Sequence, residues 1–119
     1  MQALKFNNQF TLELPGDPNV SPAERLISNA LFARVAPKKP ASPYLIHYSP
    51  EVAAEIGLDI SECAGKDFVD LFSGSKIIPG MDPHATCYGG HQFGNWAGQL
   101  GDGRAINLGE IDTEKGHLM

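Results

Sequence analysis

Thr86-Cys87-Tyr88-Gly89-Gly90-His91-Gln92-Phe93-Gly94-Asn95-Trp96-Ala97-Gly98-Gln99-Leu100-Gly101-Asp102-Gly103-Arg104-Ala105-Ile106-Asn107-Leu108-Gly109-Glu110 carries seven of the chain's 13 glycines in 25 positions. Each glycine inside a helix costs about 1 kcal/mol relative to alanine, so this run is a poor helix. Phe93, Trp96, Leu100, Ile106 and Leu108 are interleaved with the glycines, which also excludes a floppy linker. The expectation is an ordered β-hairpin whose backbone comes close to something. Asp102-Gly103 is a strong turn signal, because a type I′ turn needs positive φ at both central residues. It places the incoming strand at Ala97 to Leu100 and the outgoing strand at Ala105 to Ile111.

At such a tip, backbone N–H groups of Gly101 and Gly103 can approach a phosphate, and Arg104 can add a guanidinium contact to the same oxygens. A surface turn with a solvated arginine fits the local sequence as well. There is no Gly-x4-Gly-Lys-Ser/Thr, and Ile106 stands where a dinucleotide fingerprint needs its third glycine. A β-hairpin laid over phosphates is instead the solution used by protein kinases, in which a lysine on the following strand completes the site.

Other chemistries have less support. His84, Cys87 and His91 are zinc-capable residues spaced three and four apart, but Gly89 and Gly90 argue against the helix that would bring them together. The competing expectation makes both histidines hydrogen-bonded structural residues and Cys87 a small core residue. Trp96 and Phe93 are read first as core, with adenine stacking as the other reading. Ser73-Gly74-Ser75 lacks the strand–turn–helix setting of a nucleophile elbow. Glu110, Asp112 and Glu114 follow an expected strand and read as solvated.

Upstream, Leu4, Phe6, Phe10, Leu12 and Leu14 sit at even spacing, the pattern of an extended segment with one buried face. Pro15-Gly16-Asp17-Pro18 ends it. Ser21-Pro22-Ala23-Glu24 reads as a capping box opening a helix over about residues 22 to 32. Tyr44 to Tyr48 is a short β-prone strand between prolines. Ser49 caps a helix beginning at Pro50, Gly57 ends it, and a third short helix ends near Ser73-Gly74.

Composition sets the outer limits. At 119 residues the chain is one domain or part of one, and 42% hydrophobic with 19% charged residues suits a globular protein. A net charge of -5 gives no footprint for nucleic acid. No apolar run approaches the ~18 residues that span a membrane, and the N-terminus lacks a signal-peptide pattern, so a cytoplasmic protein with free thiols is expected. A new apolar segment begins at His117-Leu118-Met119, which suggests an N-terminal fragment cut at the start of a strand. Strands without their neighbours would leave an exposed sheet edge and favour partial unfolding or self-association.

Cys87 to Trp96, Gln99-Leu100-Gly101-Asp102-Gly103-Arg104-Ala105 and Leu108-Gly109-Glu110 together resemble the selenoprotein O family of pseudokinase-fold protein adenylyltransferases. The similarity extends through Phe72-Ser73-Gly74-Ser75 and Pro79-Gly80-Met81-Asp82-Pro83, and more weakly through Phe32 to Pro37 and Ser49 to Ala53. The resemblance implies an enzyme that binds ATP with Mg2+ or Mn2+ and transfers AMP to Ser, Thr or Tyr hydroxyls of protein substrates. The nucleotide is inverted relative to a protein kinase. ATP contacts carry over onto Gly101, Gly103 and Arg104. The family's lysine, catalytic aspartate and metal ligands fall beyond this sequence, so no catalytic or metal residue is expected within it, and the chain alone is expected to be inactive. The implied architecture is α+β: a family-specific extended and helical segment over about 1–82, then a glycine-rich hairpin region over about 83–119, the two forming the first part of a kinase-like small lobe. A stand-alone nucleotide- or protein-binding module without catalysis is the alternative.

Overall fold

The computed structural model describes residues 4–21, 23, 25–103 and 105–118. It is an α+β structure of short elements: β1 (Lys5–Phe6), α1 (Gln9–Glu13), β2 (Gly16–Asp17), β3 (Phe32–Arg34), α2 (Pro50–Glu55), α3 (Ile60–Cys63), α4 (Lys66–Phe72), β4 (His84–Gln92), β5 (Asn95–Asp102), β6 (Ile111–Thr113) and β7 (Gly116–Leu118). Two sheets form, in the orders β2-β3-β4-β5 and β1-β6-β7. In the first, β2 and β3 are parallel, and β3, β4 and β5 are successively antiparallel. No helix among the described residues is long and apolar enough to cross a membrane.

Local signals held where the partners are local. The Ser49 side chain accepts the Val52 N–H at 3.2 Å, with Pro50 opening α2. Gly57 follows α2 at φ +81°, the left-handed conformation that ends a helix. The third expected helix is α4, and the shorter α3 precedes it. α3 starts on a reciprocal cap between Asp59 and Glu62, an Asp-x-x-Glu signature that the sequence does display.

Three expectations fail. Residues 4 to 14 are not one strand: β1 stops at Phe6 and α1 begins at Gln9. Asn8 accepts the Glu110 N–H at 2.9 Å and donates to the Gly80 carbonyl at 2.8 Å. The Glu110 carboxylate in turn takes the Phe10 N–H at 2.9 Å, one of the helix's unpaired first-turn donors. The even spacing of Phe10 and Leu14 therefore served a helical turn.

The expected helix over 22–32 is also missing: no described residue from 21 to 31 is helical. Pro22 and Glu24 of its expected capping box lie outside the described residues. Arg25 draws the loop around itself, donating to the Asp17 carboxylate at 2.9 Å and to the carbonyls of Asn19, Ser21 and Ala23. Those carbonyl contacts supply a non-helical conformation, and Asn29 at φ +59° breaks any helical path. Ile27 and Ala30 are nevertheless buried, forming with Ala33 a small core against which Cys87 packs.

A second core joins Ala53, Leu58, Cys63 and Phe68 from the helical segment, with Leu4, Tyr48 and Ile56 packed on it. Tyr44 to Tyr48 belongs to no helix or ladder, so the strand expected there is not formed. Phe32 anchors the first sheet. Its ring covers Gly16 so closely that a Cβ there would lie 2.5 Å from Cζ.

Candidate functional site: the glycine-rich hairpin

The glycine-rich run does form a hairpin, but its turn is not at Asp102-Gly103. Strands β4 and β5 join through Phe93 and Gly94, at φ +51° and +76°, flanked by the Gln92–Asn95 pair. Two consecutive positive φ values are the signature of a type I′ turn, which Gly94 adopts without strain. Asp102 pairs with Cys87 at the far end of the ladder, and Gly103 closes it by donating its N–H to the Thr86 carbonyl at 2.8 Å. The outgoing strand expected at Ala105 to Ile111 is absent. Asn107 instead makes an isolated bridge to His84, and Ile111 leaves for the other sheet as the first residue of β6. The register shifts between Cys87 and Gly89 and again between Gly90 and His91. Such irregularities re-aim side chains along a strand.

Of the expected phosphate contacts, Gly101 lies in β5 and Gly103 just past its end, while Arg104 lies outside the described residues. Gly103 is half-buried, and a Cβ on it would sit 3.3 Å from the Thr86 carbonyl oxygen. The position has little room for a side chain. Its N–H is already committed to Thr86, so an anion using that donor must share or replace this bond.

Phe93 and Trp96 are not core. They are 92% and 67% exposed, because the hairpin end projects past β3 and no described element covers it. Trp96 lies across Gly89, where a Cβ would come within 2.1 Å of Cη2. Tyr88 is exposed on the same hairpin. The result is a β-ribbon with aromatic rings outside and glycine beneath one of them.

The base of the hairpin is tightly held. His84 is buried, with Nδ1 2.9 Å from the Asp82 carbonyl. Its ring stacks on Phe10 at 5.4 Å and meets Phe32 edge-on at 5.5 Å. Arg34 makes a two-point contact with Asp82, Nε to Oδ1 at 2.9 Å and Nη2 to Oδ2 at 3.0 Å. That hydrogen bond from Arg34 holds the Asp82 carboxyl below the usual carboxylate range, and Asp82 raises Arg34 in return. Arg34 and Asp82 stand 48 residues apart, and no spacing rule pointed to the pair.

His84, Cys87 and His91 are not brought together as a metal site. His84 is in the aromatic cluster, Cys87 packs near Ile27, and His91 lies opposite Trp96 toward the exposed turn. Among the described residues no group of three His, Cys, Asp or Glu side chains is placed to hold a metal ion. Glu110, expected to be solvated, is half-buried and holds Phe10, whereas Asp112 is exposed as expected while accepting from Asn7 Nδ2 and pairing with His117 Nδ1 at 2.6 Å. Glu114 is exposed.

Residues 17–119, which include this hairpin and strands β3, β6 and β7, match the family model described as protein adenylyltransferase SelO. The chain belongs to the SelO family. It is 54% identical over 116 residues to the protein nucleotidyltransferase YdiU of Aromatoleum aromaticum, covering 98% of this chain and 22% of that relative. It is 51% identical over 116 residues to the protein of the same name from Azoarcus sp., with the same coverage. With the Flavobacterium johnsoniae protein of that name, identity is 53% over 113 residues, 95% of this chain and 22% of the relative. The chain thus spans about a fifth of the length of these SelO-family relatives.

Proposed function

We propose that this chain forms part of the ATP-binding region of a protein adenylyltransferase, as the first portion of a kinase-like small lobe working in the cytoplasm. The observation that carries the proposal is the end of the β4–β5 hairpin, where Gly103 closes the ladder on Thr86 just after Gly101 and Asp102, within the stretch matched to SelO; Arg104 is the next residue in the sequence. Gly101 and Gly103 let the ATP phosphates approach the backbone, and Arg104 contributes a charged donor fork. In the reaction, a Ser, Thr or Tyr hydroxyl oxygen of a protein substrate attacks the α-phosphorus of ATP. The bond to the bridging oxygen breaks, pyrophosphate leaves, and a base takes the hydroxyl proton. Among the described residues, no group of three His, Cys, Asp or Glu side chains fits the Mg2+ or Mn2+ that the activity uses. The contribution of this chain is to bind and orient the phosphates.

The test grafts this chain in place of the matched 116 residues of the Aromatoleum aromaticum relative and introduces Arg104→Ala and Gly103→Val. Loss of a charge-assisted contact worth about 1.5–3 kcal/mol should weaken ATP binding roughly 10- to 100-fold. Unchanged ATP affinity and AMP transfer in both variants would reject the assignment. The exposed rings of Tyr88, Phe93 and Trp96 favour a second reading, a binding module without catalysis. It predicts a graft that binds ATP or a protein ligand but transfers no AMP.

A further inference from the structure

Tyr44-Leu45-Ile46-His47-Tyr48 is a run of strand-forming residues that lies outside every helix and strand and has no strand partner. Residues 36 to 48 make no backbone–backbone hydrogen bond among the described residues. Two of its side chains are also open to solvent: Tyr44 is 78% and Ile46 86% exposed. At its end the segment turns inward, where Tyr48 meets Phe68 edge-on at 5.8 Å and Phe68 packs on Phe72 at 4.6 Å. Between the segment and helices α2 and α4 runs an apolar groove of about 480 Å³, lined by Val52, Phe68 and Phe72 among others. Free donors and acceptors along a β-prone apolar segment are what an added β-strand uses.

We infer that an extended segment from the part of the SelO-family polypeptide outside the matched region lies along Tyr44–Tyr48 as an added β-strand and fills the adjoining groove. The match covers only 22% of the relatives, so more than three quarters of their chain is available as the occupant. An apolar exposure of this kind resembles a domain core divided in two, not a transient docking patch. A second copy of this chain is the weaker partner, since each copy carries a net charge of -5 and like charge opposes association. The inference rests on family membership and not on the nucleotide reading.

Hydrogen exchange tests it on the graft described above, compared with the 119-residue chain alone. The amides of residues 44 to 48 should exchange roughly tenfold or more slowly in the graft, and without added protection in the chain alone at any concentration. Ile46→Asp should remove that protection in the graft and leave exchange in the chain alone unchanged. Should the graft fail to fold, the unaltered Aromatoleum aromaticum relative is measured over its aligned segment, with the same expectation. Equal exchange with and without the remaining polypeptide would overturn the inference. So would protection in the chain alone that rises with concentration, which would assign the groove to a second copy. ATP affinity is read on the same samples, so failure of the strand pairing is distinguishable from failure of the phosphate assignment.

Discussion

Removing the ring of Phe32 should cost more than almost any other single change in this chain. Phe32 is 1% exposed in the middle of the first sheet. Its ring meets Phe10 at 5.7 Å and His84 at 5.5 Å, lies beneath the Arg34 guanidinium at 5.2 Å, and presses on Gly16 from the other strand. Phe→Ala at a fully buried site costs about 3–5 kcal/mol, with loss of the aromatic contacts placing it toward the upper end. A small domain has roughly 5–15 kcal/mol in total, so Phe32→Ala removes a large share of it. With a urea slope of about 1.5–2 kcal/mol/M, the unfolding midpoint should fall by about 2 M. Far-UV circular dichroism is the suitable readout, because the single tryptophan sits on the exposed hairpin. The same geometry predicts that Gly16→Ala costs about 1–3 kcal/mol by overpacking against the ring. Once the ring is gone the added methyl has space, so the double variant should cost less than the sum by about 1 kcal/mol or more. A Phe32→Ala cost below about 1 kcal/mol, or strict additivity of the pair, would refute this account of the core.

Two further predictions follow from the base and the face of the hairpin. Because Asp82 is held below its ordinary pKa by Arg34, its stabilisation is present above about pH 4 and is lost as pH falls through the lowered value. Asp82→Asn should therefore be less stable than the parent near neutrality, with the gap in melting temperature steady down to about pH 5 and narrowing as the pH falls below about 4; a gap that stays constant in acid contradicts the pairing. Gly89→Ala should push the Trp96 ring off the β4 backbone and red-shift its fluorescence, and an unchanged spectrum would mean that the ring does not rest there.

Glycine at 94 and at 103 illustrates how far the sequence could be read. Both are strong turn residues, and the local rule preferred Asp102-Gly103. The choice was made elsewhere, by Gly103 donating to Thr86 and by Cys87 donating its N–H to the Leu31 carbonyl at 2.8 Å, which fixes β4 against β3. The exposure of Phe93 and Trp96 follows from that change of turn, since it carries both rings to the projecting end. The phosphate candidates Gly101, Gly103 and Arg104 came from local composition and the family resemblance. The Arg34–Asp82 pair that fixes the start of β4 left no comparable mark.

The sequence by itself determined the features whose partners lie within about four residues: the Ser49-Pro50 opening of α2, its end at Gly57, a hairpin in the glycine run, and the SelO family. Only the tertiary structure decided that Asn8 and Glu110 would convert an alternating segment into a strand and a helical turn, across about 100 residues. It likewise placed Arg34 on Asp82 and left Tyr44 to Tyr48 without a strand partner. The physical reason is the reach of the interactions. A cap or a turn is set by the chain's own next few donors and acceptors, whereas sheet register and buried polar contacts are set by groups that meet only once the chain has folded.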